Sequence, residues 1–263
     1  EVSGMEPLRK SVEQIVLAAG ELLLEAAKTG TVVHEKEGVG NFVTDCDLAT
    51  QQFLQRELKE LLPGSAFVGE EEGSETYRSG GDCWIVDPID GTANFTRGIG
   101  YSAVSVGLVR DGVPSVGVVY NPFSGELYSA ARGEGAFLDG MPIHVSRRPL
   151  NRALVSFGAT IYHRDVTEKM FRVLQTMFAH CEDIRSDGSA ALDLCSVAAW
   201  RLDAYWELRL SPWDYAAAAC ILTEAGGRIG SMEGGSLPFD GPSTVLAANE
   251  TAYAEALELI RNV

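Results

Sequence analysis

Hydrophobic residues recur at helical spacing near the N-terminus, at Leu8, Val12, Ile15, Val16, Ala19, Leu22, Leu23 and Ala26. Lys28 supplies a basic last turn and Gly30 a stop, so the spacing predicts a helix over 6–28. A second helix is expected from Thr44 towards Leu62, ended by Pro63-Gly64, with Ala49, Phe53, Leu54, Leu58, Leu61 and Leu62 on its buried face. Residues 31–42, with Gly38 and Gly40, read as a short hairpin or a mobile loop. The period then shortens to that of strands. Ala66–Val68 and Trp84–Val86 are short apolar strands, and the segments 101–110 and 113–120 flank the hairpin signal Asp111-Gly112. Further turns are expected at Ser124-Gly125 and Asp139-Gly140.

Beyond Pro149 helical and strand patterns alternate. Helices are expected near 166–178, 190–199, 214–225 and from Thr251, with strands near 183–185, 204–208 and 245–247. Such alternation implies an α/β layer. The pattern divides the chain into an N-terminal α+β part, 1–148, in which helices pack on an antiparallel meander, and a C-terminal α/β part, 149–263, with a cleft between them.

Composition narrows the class. At 263 residues and 46% hydrophobic, the chain can bury a sizeable core, and no apolar run reaches the length of a membrane span. No secretory signal is apparent, and Glu1-Val2-Ser3-Gly4 before Met5 reads as an expression remnant outside the fold. The formal charge of −16, from 37 acidic against 21 basic residues, disfavours a phosphate backbone as partner, so no direct nucleic-acid binding is expected. Five cysteines without CxxC spacing argue for a reducing cytoplasm and against a zinc site or disulfide frame.

Candidate chemistry concentrates in carboxylates. Asp87 is expected just past the end of the strand Trp84–Val86, where side chains emerge into a cleft, and Asp90 follows three residues later before Gly91-Thr92. If the turn curls back, both carboxylates and the Ile89 carbonyl face one point, a hard-oxygen set that suits magnesium. The Gly91 and Thr92 amides would then point at an anion. A tight Asp-Gly turn with an Asp helix cap fits the same residues equally well. Glu70, Glu71 and Glu72 follow another short strand, where a solvated acidic loop is the plainer reading, and Asp214 opens a helix, where an N-cap is.

Trp84–Phe95, WIVDPIDGTANF, resembles the first signature of the inositol monophosphatase family, and Trp213–Gly227, WDYAAAACILTEAGG, resembles its second. Gly69-Glu70-Glu71, Thr44-Asp45-Cys46-Asp47 and Gly188–Leu194 fall where the family has its acidic loop, its helix-start aspartate and the segment before its substrate glutamate. The resemblance covers nearly the whole chain in order. It implies a layered αβαβα fold and two to three Mg2+ ions per active site. Glu70, Asp87 and the Ile89 carbonyl resemble ligands of the first ion, with Asp87, Asp90 and Asp214 around the second. Glu70 also resembles the family's water-mediated contact to a third. Two such ions, about 3.5–4 Å apart, clamp the attacking and leaving oxygens of an in-line displacement. Thr92 and Asp47 resemble the pair that orients and deprotonates the attacking water, although Asp47 also completes a capping box with Thr44. Substrate contacts are implied for Asp90, Gly91, Thr92, Gly188, Ser189, Ala190, Glu207 and Asp214. Lys36 resembles the family lysine near the metals; a surface lysine fits it nearly as well.

The remaining features read as ordinary. The four histidines lack metal spacing, Gly133-Glu134-Gly135 reads as a turn, and Arg147-Arg148 is too short for a basic patch. Met170, Phe171, Leu174, Met177 and Phe178 read as a helix core stripe. Two positions depart from the family pattern. Trp200 stands where bacterial relatives commonly carry glycine, and Arg209 closely follows Glu207. The expected activity is Mg2+-dependent hydrolysis of a small phosphomonoester, namely an inositol monophosphate, by a lithium-sensitive homodimer. Histidinol phosphate is the nearest rival substrate, ahead of fructose bisphosphate and 3′-phosphonucleotides. A non-catalytic partnership with the transcription machinery is the rival of another class.

Overall fold

The computed structural model describes residues 4–35, 42–159, 163–261 and 263. Lys36, singled out above, lies outside them. The N-terminal half contains α1 (Met5–Thr29), the paired strands β1 (Val33–Glu35) and β2 (Phe42–Thr44), then α2 (Asp45–Leu61). Strands β3 (Ala66–Gly69) and β4 (Asp82–Asp90) and the short helix α3 (Thr92–Thr96) follow. Next come β5 (Ala103–Arg110), β6 (Val113–Asn121), β7 (Glu126–Ala131), β8 (Gly135–Leu138) and β9 (Met141–Ile143). The C-terminal half contains β10 (Leu154–Phe157), α4 (Thr167–Phe178), β11 (Asp183–Arg185) and α5 (Ala190–Ala198). It ends with β12 (Ala204–Leu210), α6 (Pro212–Glu224), β13 (Arg228–Gly230), β14 (Ser243–Ala248) and α7 (Glu250–Ile260).

Two sheets separate three helical layers, the αβαβα arrangement expected. The first sheet runs β3-β4-β5-β6-β7-β8-β9 and the second β11-β10-β12-β14-β13. Strand alternation sorts the side chains between layers. Trp84 and Val86 pack with Val12, Val16 and Leu54 of α1 and α2, while Ile85 joins α5 and α6 on the other face. In the second sheet Tyr205 faces α5 and α6, and its neighbour Trp206 packs with Met170 and Tyr253 of α4 and α7. The middle helical layer thus serves both sheets.

Four expectations are corrected. The first sheet is not wholly a meander, because β3 and β4 pair in parallel. Strand β4 does not end at Val86; it continues to Asp90. Ala49 is exposed, and the buried line of α2 begins with Cys46, Asp47, Thr50 and Gln51 before it becomes apolar at Leu54 and Leu58. The polar start turns towards the acidic loop, which a search for apolar periodicity passes over. Finally, Phe171 and Phe178 are 58% and 69% exposed, so only Met170, Val173 and Met177 form the buried line of α4.

Packing distance between the first sheet and α6 is set by small residues. A Cβ on Gly117 of β6 would lie 2.1 Å from the Ala217 carbonyl oxygen, and one on Gly107 of β5 would lie 2.8 Å from the Ala217 nitrogen. Side chains at those two strand positions would push α6 away from the sheet. Their absence brings the N-terminus of α6, with Asp214, close to the end of β4.

Candidate active site

The strand β4 reaches the site through an irregularity. Asp87 pairs with Ser105 and Asp90 with Ala103, three steps on β4 against two on β5. In a regular strand residues three apart project to opposite faces. The extra residue of a bulge resets that alternation and lets both carboxylates enter one cluster. The Ile89 amide donates to Asp87 Oδ1 at 3.0 Å, which fixes the carboxylate within the bulge.

One oxygen from each of Asp87, Asp90 and Asp214 lies within 4.8 Å of the other two. Asp214 is the N3 residue of α6, in a capping box with Ser211, whose amide donates to Asp214 Oδ2 at 2.7 Å. The N-cap itself is Ser211, so Asp214 is not the cap that the sequence suggested; as N3 of the capping box it braces the helix start while one of its oxygens joins the cluster. Asp90 Oδ2 accepts from the Ser189 hydroxyl and, at 2.8 Å, from the Ala191 amide at the start of α5. Ser189 also caps α5. The start of α5, through Ser189 and Ala191, therefore grips Asp90 directly.

Electrostatics give the cluster its character. Removal from water pushes the Asp87 carboxyl well above the ordinary range, and the charges of Glu70, Asp90, Asp214 and Asp47 push it further. Asp90 rises to about 6, again chiefly through burial, with the Ser189 and Ala191 hydrogen bonds pulling the other way. Asp214 is raised by the same burial and by Asp90 and Glu70. Glu70 is outside the tight trio, yet its charge acts on all three members. Its amide bonds the Val86 carbonyl at 3.2 Å, which moors the acidic loop to β4. Without a cation, the site holds carboxylates that resist ionisation. A donor set of oxygens only, without histidine or cysteine, suits a hard divalent ion.

Asp47 is fully buried and accepts from the Thr44 amide at 2.7 Å and the Thr44 hydroxyl at 2.6 Å. Its other oxygen accepts from Thr92 Oγ1 at 3.4 Å, and the same hydroxyl reaches the Ile89 carbonyl at 3.0 Å. The capping box and the link to Thr92 coexist on one carboxylate. Gly91, with φ +88°, is the N-cap of α3, so the chain turns there into Thr92. In β12, Glu207 is buried rather than solvated, and the Tyr205 hydroxyl donates to its Oε2 at 2.6 Å. A Cβ on Gly158 would fall 1.9 Å from that oxygen, so the glycine leaves the room Glu207 occupies.

Several supporting residues escaped the sequence reading. Gln51 donates to the carbonyls of Glu71 and Glu72 at 3.0 and 3.2 Å and accepts from the Glu71 amide at 2.9 Å, which shapes the acidic loop. Its spacing four residues after Asp47 was the available signal. Asn94 donates to the carbonyls of Tyr101 and Asp187 and joins α3 to the loop before α5. Asp193, raised to about 7 by burial, accepts from Tyr101 and Ser156, each at 2.7 Å.

Comparison with known proteins shows the family. The model of the inositol monophosphatase family matches residues 5–263. A Mesorhizobium japonicum protein named inositol-1-monophosphatase is 38% identical over 226 residues, covering 86% of this chain and 85% of the relative. A Neisseria meningitidis protein named putative Nus factor SuhB is 34% identical over 258 residues, covering 97% and 98%. The solved structure of extragenic suppressor protein suhB from Bartonella henselae superposes with a TM-score of 0.90 at 32% identity, covering 97% of this chain and 98% of that one. With a converging acidic cluster, a matching fold and a match along nearly its full length, the chain belongs to the inositol monophosphatase family.

Proposed function

We infer that this phosphoric monoester hydrolase acts on inositol monophosphates and requires Mg2+. The observation that carries the reading is the acidic trio of buried Asp87 and Asp90 with half-buried Asp214, whose carboxylates are held together at the cost of their ionisation. Asp87, Asp90 and Asp214, with Glu70 and the Ile89 carbonyl, would hold two to three ions. When bound, such ions supply Lewis-acid activation of water and neutralise charge on the phosphate.

The residues around them divide the remaining work. Thr92 orients the attacking water through its hydroxyl, and the Thr92–Asp47 pair accepts the proton, with Asp47 kept in place by Thr44. The Gly91 and Thr92 amides face the phosphate. Glu207 takes hydrogen bonds from ring hydroxyls, with Tyr205 fixing its orientation, and Asp90 accepts another. Gly188, Ser189 and Ala190 border the ring. Histidinol phosphate stays the rival substrate, because a carboxylate at Glu207 also suits an amine. Phosphate release from inositol 1-phosphate and histidinol phosphate, with Mg2+ and with chelator, tests the reading. Release only with Mg2+, and faster from inositol 1-phosphate, is expected.

A second reading, partnership with the transcription machinery, draws support from relatives named Nus factors. Failure to hydrolyse any monoester of the panel would favour it. Phe171 and Phe178 lie seven residues apart on one exposed face of α4, which supports a homodimer and is checked by light scattering. All five cysteines are free, which supports a reducing, cytoplasmic setting. Among the described residues no helix is long and apolar enough to cross a membrane. We also propose lithium sensitivity, and a division at 148/149 in which the second part contributes Asp214 and Glu207 to a site begun by the first.

A further inference from the structure

Away from the carboxylate cluster, a cavity of about 710 Å³ opens between the segment 144–152 and the end of α5. His144, Arg147, Arg148, Arg152, Glu182 and Trp200 line it. Its volume lies in the range of small-molecule sites. In a chain of net charge −16, three arginines against Glu182 and the buried Asp203 leave this wall with a small positive excess. Arg147 and Arg152 make no ion pair among the described residues. Arg148 is anchored from behind by Asp203, which is 1% exposed, at 3.2 Å. The Asn249 amide donates to the Ser146 hydroxyl and the Arg148 carbonyl, at 3.1 and 3.0 Å, and Ser146 donates to Asp203. The arginine-bearing segment is therefore pinned at several points.

Trp200 is the second observation. It occupies the position just after the α5 C-cap, with φ +62°, where the left-handed backbone ordinarily calls for glycine. Its side chain is 55% exposed and meets the His144 ring edge-on, at a centroid distance of 5.8 Å. A large aromatic side chain at a strained position gains little from exposure to water. Set in this cavity, it offers a flat face for a planar ring, while arginines take the phosphate in the two-pronged manner of guanidinium groups. Glu182 adds an acceptor for hydroxyls.

We propose that this cavity binds a small phosphorylated molecule carrying a planar ring, of the nucleoside monophosphate class, separately from the catalytic carboxylates. Helix α5 connects the two places, since its first turn grips Asp90 and its nine residues, about 13 Å long at 1.5 Å per residue, lead through Ala199 to Trp200.

The test is calorimetric titration of the full chain in Mg2+ with AMP as probe. Wild type, Trp200→Gly, the double variant Arg147→Ala/Arg152→Ala and Asp87→Asn are compared. Binding in the wild type, weakened roughly tenfold or more in the first two variants and retained in Asp87→Asn, is the expected result. Thermal melting shows whether the cavity variants remain folded, and Trp200→Gly suits the backbone it inherits. Binding lost in Asp87→Asn but intact in Trp200→Gly would assign AMP to the catalytic site alone and overturn the proposal. So would absence of binding at millimolar AMP. Absence of binding, combined with a dimer that dissociates in Trp200→Gly, would instead give the face to a second copy of the chain.

Discussion

The Ser189 hydroxyl, at the start of α5, donates to Oδ2 of Asp90, at the end of β4. This bond joins the helical layer between the sheets to β4, and it counters the rise in the Asp90 pKa. Ser189→Ala removes an N-cap, worth about 1 kcal/mol, and lets the Asp90 pKa climb above about 6. We expect a lower melting temperature and weaker Mg2+ activation near pH 6.5, with partial recovery at higher pH. Activity against Mg2+ concentration at several pH values checks this.

Asp87→Asn and Asp214→Asn should each abolish turnover while preserving the fold, measured by phosphate release and circular dichroism. In metal-free protein the same changes should stabilise. A carboxyl whose folded pKa is raised holds its proton longer in the native state than in the unfolded one, so native stability falls as pH climbs through the interval between the two values. For Asp90 that interval runs from 3.8 to about 6. At pH 8 the amide variants avoid the corresponding penalty at their own positions, where burial raises the carboxyl well above its ordinary range. Melting curves in chelator at pH 4 and pH 8 should show a clearly larger advantage at the higher pH. Equal melting temperatures at pH 8 would contradict the assignment.

Cation binding must displace protons from this cluster. Mg2+ added to metal-free protein in weak buffer near pH 6 should release protons, and apparent affinity should increase with pH. Titration calorimetry in two buffers of different ionisation enthalpy measures the release.

Gly117→Ala places a methyl against the Ala217 carbonyl of α6. Overpacking of this kind costs about 1–3 kcal/mol. Because α6 carries Asp214, we expect activity to fall by more than the loss of folded protein accounts for. Specific activity of the soluble fraction, set beside its melting temperature, separates the two effects.

Trp200→Gly should act in the opposite sense. A left-handed backbone costs an L-residue about 1–2 kcal/mol. Relief at φ +62° is therefore expected to raise the melting temperature, with hydrolysis of inositol 1-phosphate unchanged. A large destabilisation would mean that the indole packs against something the exposed position does not reveal.

What the sequence by itself determined is local. Apolar spacing located α1 to within a residue at each end, and Pro63-Gly64 closed α2 at Leu61. The acidic motifs by themselves single out Asp87, Asp90, Asp214 and Glu70, since their order along the chain carries the family pattern. Only the tertiary structure decided how they meet. The bulge in β4 turns Asp87 and Asp90 to one side, and glycines at 107 and 117 set how near α6 brings Asp214. Arg147-Arg148 looked too short to matter because Glu182 and Trp200 join them only across the fold. Periodicity and caps follow from forces between residues a few positions apart. Convergence depends on the distance between packed elements, which no single stretch of sequence contains.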